Sequence, residues 1–328
     1  MRFVFRADAS MTIGSGHVMR SSAIAEEAIA RGIPSLFVGK ISELGWVRER
    51  IRGLGFIQVL ENTWEFVPDK NKDILIIDSY EIPTDDEFVQ LRNWSKVVSI
   101  FDELTPNYSC DLRIHPGLTK AWLEPFPGRT LSGPKFVPLR KPIRNSAERT
   151  PEGTLEVLVV GGGSDTYGFV PAVVNVLTKL TQDFHATIFT NSFSGSDLDG
   201  RFSVSEVGLN LDLVANTVDL VFTTASTTSL EFLARGSAVA VGCAIDNQKL
   251  YYKELSSGDY AAPIGEFLNN EWDLNIELLQ ELISSESLRA KLRNNSADLI
   301  DLDGAKRIVD EILRLQSDTT ITGGLFLL

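Results

Sequence analysis

Residues 5–32, FRADASMTIGSGHVMRSSAIAEEAIARG, place His17 between the Gly14-Ser15-Gly16 turn and a run with helical periodicity. An imidazole titrates near neutrality, so in its neutral form it accepts a proton from water or a hydroxyl. At a helix start the dipole disfavours the charged ring and keeps it competent as a base. A polar cap with no chemistry explains the same position equally well. His115 precedes a proline and His185 precedes a strand, and both read as structural or exposed.

Two further stretches have a chemistry of their own. Gly161-Gly162-Gly163-Ser164-Asp165 follows the apolar run LEVLVV, as Gly14 and Gly16 follow RFVFRA. Glycine permits positive φ and lets backbone N–H groups approach a bound anion, and the helix that follows adds its dipole. Neither turn fits the GxxxxGK(S/T) phosphate loop or the complete GxGxxG fingerprint, and tight strand-to-helix turns need glycine for geometry alone. The run Ala225-Ser226-Thr227-Thr228-Ser229-Leu230-Glu231 supplies hydroxyls suited to capping a helix or contacting phosphate. Glu231 reads either as an acceptor for a ribose diol or as a solvated glutamate early in a helix.

The elements that must carry these residues alternate. RFVFRA, a helix over 16–30, PSLFVG, a helix near 44–52, DILIID, a helix near 85–94 and VVSIFDE give βαβα order, and hence a parallel sheet with helices on both faces. Residues 116–154 hold seven of the thirteen prolines and read as the connection between domains. The alternation restarts with LEVLVVGGG, a helix over 170–181, ATIFTN, a short helix near 209–215, VDLVFTT, a helix over 227–235 and SAVAVG, then helices over 274–283, 286–299 and 303–315. The fold expected is α/β, with two Rossmann-like doubly wound domains facing a cleft. The boundaries are 1–140, a linker at 141–153, 154–316, and a poorly ordered tail at 317–328. Open parallel sheets bind ligands at the carboxyl ends of their strands, and the active site is expected there.

Composition narrows the class. The 328 residues suit two domains, and 43% hydrophobic with 23% charged residues is ordinary globular composition. A net charge of -13 argues against non-specific nucleic-acid binding. No run is long and apolar enough for a signal peptide or a membrane span, so the cytoplasm is the expected compartment and no stable membrane insertion is expected. Cys110 and Cys243 match no metal spacing and read as reduced thiols. The DxD triplets at 197–199 and 301–303 read as a loop and a helix cap, and no His/Cys/Asp cluster argues for a metal.

The combination FRADAS, IGSGHVMR, IIDSY (76–80), IFDE (100–103), CDLRI (110–114), GPKFVPLR (133–140), VVGGGSD (159–165), STTSLEFLARG (226–236) and DNQ (246–248) resembles the UDP-sugar hydrolase family of pseudaminic acid biosynthesis. The resemblance covers about residues 1–315. It implies a GT-B fold and removal of UDP from UDP-2,4-diacetamido-2,4,6-trideoxy-β-L-altrose, with a UDP-sugar as the only implied partner and no cofactor. Its second-domain motifs are also similar to the glycosyltransferase that adds N-acetylglucosamine in peptidoglycan synthesis. Carried over residue by residue, it makes His17 the general base. Gly161, Gly162, Gly163, Ser226, Thr227 and Glu231 would hold the diphosphate and ribose, and Asn247 and Gln248 would face the sugar. Asp8 or Asp78 would orient the imidazole or bind sugar, and Arg6, Gly14, Gly16, Arg20 and Tyr80 are candidate sugar or phosphate contacts.

The chemistry needs little more. A diphosphate is a good leaving group, so the second carboxylic acid of a glycosidase is dispensable. One base for water and positive electrostatics for the departing charge suffice. A glycosyltransferase would use the same base on an acceptor hydroxyl, and a non-catalytic nucleotide-sugar binder would need no base. A lipid acceptor predicts an exposed apolar patch edged with basic residues in the first domain, whereas HVMRSSAIAEEAIARG reads as an ordinary buried helix face.

Overall fold

The computed structural model describes residues 1–61, 66–79, 93–102, 108–118, 128–144, 153–208 and 211–317. The chain divides into two compact units: Met1–Ile13, His17–Lys141 and Leu302–Leu328 in the first, Gly14–Gly16 and Pro142–Asp301 in the second.

The first unit is built on seven strands, β1 (Arg2–Ala7), β2 (Ser35–Val38), β3 (Gln58–Leu60), β4 (Asp73–Asp78), β5 (Lys96–Ile100), β6 (Leu112–His115) and β7 (Arg129–Ser132). They form one sheet in the order β3-β2-β1-β4-β5-β6-β7, and every pairing is parallel. Successive residues of β1 serve opposite layers: Phe3 and Phe5 join one core cluster, and Val4 joins the other with Leu36, Leu75 and Ile77. Burial on both faces is why DILIID is an unbroken apolar run between its two aspartates. Helices α1 (Gly16–Ala30) and α2 (Gly45–Gly53) follow β1 and β2. Residues 17–25 of α1 are all buried, and with them His17 and Arg20.

The second unit, after the short helix α3 (Lys141–Arg144), repeats the plan. Its strands β8 (Glu156–Val160), β9 (His185–Phe189), β10 (Phe202–Ser205), β11 (Leu220–Thr224), β12 (Ala238–Cys243), β13 (Ala262–Leu268) and β14 (Glu271–Leu274) pair in the order β10-β9-β8-β11-β12-β13-β14. Only β13 and β14 pair antiparallel. Their two-residue turn, Asn269-Asn270, has both φ positive, the geometry of a primed hairpin turn that asparagine tolerates. The helices are α4 (Phe169–Leu177), α5 (Leu211–Val214), α6 (Thr227–Ala234), α7 (Asp246–Ser257), α8 (Ile276–Ser284) and α9 (Glu286–Ser296).

The expected organisation needs three corrections. First, residues 116–154 are not all connection, because β7 lies among them as the edge strand of the first sheet. Its sequence RTLS is short and half exposed, so it carries no strand periodicity. Second, the last helix, α10 (Gly304–Ser317), belongs to the first unit and not to a domain running to 316. Its Ile308, Val309 and Ile312 are completely buried in the core around Phe3 and Phe5, and Arg31 and Arg129 pair with its Asp310 and Glu311. Third, β3, β6, β10, β13, β14 and α7 add elements to the alternation read from sequence. The helix expected near 85–94 and the tail at 318–328 lie outside the described residues, as does most of the expected linker.

Candidate functional site

In each sheet the chain reverses its direction of winding at one point, between β1 and β4 in the first and between β8 and β11 in the second. At such a switch point the loops leaving the carboxyl ends of two neighbouring strands part, and a crevice opens where ligands bind. His17 follows β1 and Asp78 ends β4, with Ala7 and Asp78 in register across the pair. The switch point of the second sheet is flanked by Gly161–Gly163 after β8 and Ser226–Thr227 after β11.

In the first unit, His17 and Arg20 are three residues apart on α1 and so share a helix face. Both reach Asp78, a fully buried carboxylate. His17 Nδ1 lies 2.6 Å from Asp78 Oδ1. Arg20 Nε donates to Asp78 Oδ2 at 2.8 Å and its Nη2 to Asp78 Oδ1 at 2.7 Å. With Nδ1–H donating to the carboxylate, neutral His17 carries its lone pair on Nε2. Of the two aspartates considered for orienting the ring, the structure pairs Asp78 with it. The same Arg20 guanidinium donates through Nη1 and Nη2 to Asp102, two residues beyond β5. Arg20, 4% exposed, is thus an internal bridge between two carboxylates, a different use from the ligand contact read from sequence.

Electrostatics follow from this burial. Burial acts to raise the Asp102 pKa, but attraction and hydrogen bonding from Arg20 prevail and hold it below the usual carboxylate range. Arg20 is held well above its ordinary value, its burial outweighed by Asp102 and Asp78. His115, at the end of β6 and fully buried, is pushed down to about 4 by burial, which the attraction of Asp102 only partly offsets. It is therefore neutral at pH 7 and packs its ring against Phe101, with centroids 5.6 Å apart.

Of the remaining candidates, Asp8 and Arg6 sit beside this group, Asp8 bonding Ser79, the residue that follows Asp78. Asp8 accepts from the Lys40 backbone amide at 2.7 Å, from Ser79 Oγ at 3.5 Å and from Arg6. Arg6 and Asp8 are therefore each other's partners. Gly14 adopts φ +81°, which requires glycine, and Gly16 opens α1. Tyr80 lies outside the described residues.

In the second unit, Gly162 takes φ +82°, and a Cβ on Gly161 would stand 2.1 Å from Asp165 Oδ1. Both positions need glycine for the turn itself. Asp165 folds back over the loop and accepts from the amides of Phe169 at 2.8 Å and Val170 at 3.1 Å, at the start of α4. Burial raises its pKa to about 6 against the opposing pull of those two amides. Ser226 stands just ahead of α6 in extended conformation and does not cap it. Its hydroxyl turns back to the Thr224 carbonyl at 3.3 Å, while Thr227 opens the helix. Glu231 is buried at 3% exposure, so it is not the solvated glutamate that spacing allows. Asn247 and Gln248 lie in the first turn of α7, where Gln248 Oε1 accepts from the Ala244 amide at 2.8 Å and pins the approach to the helix.

Sequence reasoning left Asp102, His115 and Asp165 without roles. Asp102 and Asp165 stand inside motifs already noted, IFDE and GGGSD, and position in the turn that follows a strand was the signal available. One other constellation has serine, histidine and carboxylate in line: His185 bonds Glu156 and Ser203, each at 3.0 Å. Glu156 and His185 are half-exposed and Ser203 is exposed, at the amino-terminal ends of β8, β9 and β10, the end of a parallel sheet opposite its ligand crevice. Among the described residues, no three or more His, Cys, Asp or Glu are grouped to hold a metal ion, and no helix is long and apolar enough to cross a membrane.

No family model matches the chain. Among curated proteins it is similar to the UDP-2,4-diacetamido-2,4,6-trideoxy-beta-L-altropyranose hydrolase of Campylobacter jejuni subsp. jejuni serotype O:2, with 24% identity over 187 residues, 55% of this chain and 66% of that protein. The match thus spans just under two thirds of the relative's length. Among solved structures it is similar to the glycotransferase of kitacinnamycin (14% identity, TM-score 0.62, covering 95% of this chain and 98% of that one). It is equally similar to an Arabidopsis thaliana protein crystallised with UDP (12% identity, TM-score 0.62, covering 95% and 99%). The chain therefore has the GT-B-like fold of two Rossmann-like units, and its sequence resembles the UDP-diacetamido-trideoxy-altropyranose hydrolase.

Proposed function

We propose that the protein hydrolyses UDP-2,4-diacetamido-2,4,6-trideoxy-β-L-altrose to the free sugar and UDP with inversion, a step in the making of pseudaminic acid or a related surface sugar. The observation that carries this reading is the His17–Asp78 pair at the first switch point. The carboxylate holds the ring in the tautomer whose Nε2 accepts a proton, and it stabilises the imidazolium that forms. The resemblance to a hydrolase of that substrate supplies the sugar, and the fold shared with a UDP complex agrees with the nucleotide.

In the reaction, His17 Nε2 takes a proton from water as the water oxygen bonds to the anomeric carbon. The bond from that carbon to the diphosphate oxygen breaks, and its electron pair leaves on UDP. The amides of the Gly161–Gly163 loop and the start of α6 with Ser226 and Thr227 stabilise the departing charge, and Glu231 accepts from the ribose hydroxyls. Asn247 and Gln248 face the sugar. A transferase reading, in which the same base serves an acceptor hydroxyl, draws on the glycotransferase among the fold neighbours.

The test is UDP release by purified protein from this substrate, beside UDP-N-acetylglucosamine, with water as the only acceptor and His17→Ala in parallel. Selective release that collapses in the variant is expected. Tight binding without release would favour the transferase, and absence of binding would sink the sugar assignment.

A further inference from the structure

We propose that Asp102 is a positioning residue for His17: acting through Arg20, it sets the orientation of the imidazole and the ease with which it takes up a proton. The inference rests on the reading of His17 as the base.

The geometry is that of a relay. Arg20 makes a two-pronged contact with Asp78, Nε to Oδ2 and Nη2 to Oδ1, and a second two-pronged contact with Asp102 through Nη1 and Nη2. The plane of the guanidinium is thereby fixed from both ends. Asp78 Oδ1, the atom that meets His17, is also one of the atoms that Arg20 holds. Arg20 Nη2 itself lies 3.4 Å from His17 Nδ1. If Asp102 is removed, Arg20 loses one of its two anchors, and the carboxylate that aims His17 loses its brace.

Charge balance gives the same residue a second effect. Two buried carboxylates face one guanidinium, so the group carries an excess negative charge while His17 is neutral and becomes balanced when His17 is protonated. The other titratable groups around it are Arg6 and Asp8, an ion pair whose opposite charges offset each other, His115 on β6, kept neutral by burial, and Tyr108, whose hydroxyl bonds Ser99 and whose pKa burial holds far above neutrality. None of these compensates for a lost carboxylate at neutral pH. Without Asp102, Arg20 would fully offset Asp78, and the imidazolium would lose its net attraction.

The arrangement follows from strand order. β1, β4, β5 and β6 are consecutive in the sheet, so Asp78 and His115 at the ends of β4 and β6, Asp102 two residues past β5, and His17 on the helix that follows β1 come together at its carboxyl edge. Asp102 enters it because β5 pairs with β4.

The experiment is an NMR titration of the His17 ring in Asp102→Asn, with Asp102→Ser as a second charge-removing variant and Asp102→Glu as the charge-retaining control. The midpoint is expected to fall by about one pH unit in Asn and Ser and to stay near the parent in Glu, with the acid limb of UDP release moving alongside. In the unaltered chain the Asp102 carboxyl carbon should report the His17 titration, because the two sites are coupled. A His17 midpoint unmoved in a folded Asn or Ser variant, or an Asp102 carbon blind to that titration, overturns the proposal. The NMR readout needs no turnover. If the midpoint moves while the substrate is not hydrolysed, the relay stands and the assigned reaction fails.

Discussion

His17 Nδ1 and Asp78 Oδ1 stand 2.6 Å apart although 61 residues separate them in the chain. The pair exists because β1 and β4 are neighbours in register, so the helix leaving one strand faces the last residue of the other. Asp78→Asn keeps the volume and removes the charge that fixes the ring and stabilises the imidazolium. The turnover number for UDP release should fall by about 10²- to 10⁴-fold, with UDP affinity by calorimetry changed less than about twofold. An equal loss in affinity would show that Asp78 shapes the binding site and does not serve the base.

The glycine loop of the second unit yields a graded pair. Gly162→Ala meets only the positive φ and should cost about 1 kcal/mol or more of stability. Gly161→Ala adds a Cβ at 2.1 Å from Asp165 and must push that side chain off the α4 amides. Denaturant unfolding should rank Gly161→Ala as the more damaging. Equal costs would mean that Asp165 moves aside freely.

Asp165 sets a pH signature. Its folded pKa, about 6, lies above the ordinary carboxyl value of 3.8, so the folded state binds the proton more tightly than the unfolded chain does. The stability it contributes is therefore present below about pH 4 and is lost as pH rises toward 6, by on the order of 2–3 kcal/mol. Asp165→Asn keeps an acceptor for the Phe169 amide and should remove this pH dependence while raising stability above pH 6. Thermal melts between pH 4 and 8 would show it, and parallel profiles for both proteins would refute it.

The last helix is tested through the first core. Ile312 is fully buried with Phe3 and Phe5, so Ile312→Ala should cost about 2–5 kcal/mol. Hydrogen exchange should rise in β1 and α1 and remain unchanged in β8 and α4. The reverse pattern would place α10 with the second unit.

What the sequence determined by itself was local. Apolar runs between polar turns marked β1, β4, β8 and β11, because strands buried on both faces must be continuously hydrophobic. The spacing of His17 and Arg20 put them on one face of α1, and Gly14 and Gly162 marked turns that need positive φ. Edge elements escaped: β3, β7 and β10 are short and partly exposed, so no pattern separates them from loop. Only the tertiary structure decided which carboxylate meets His17, that Arg20 bridges Asp78 and Asp102, and that α10 returns to the first core. These depend on strand order and on pairings between residues tens to hundreds of positions apart. Periodicity records which face of an element is buried, and it holds no information about the neighbour that buries it.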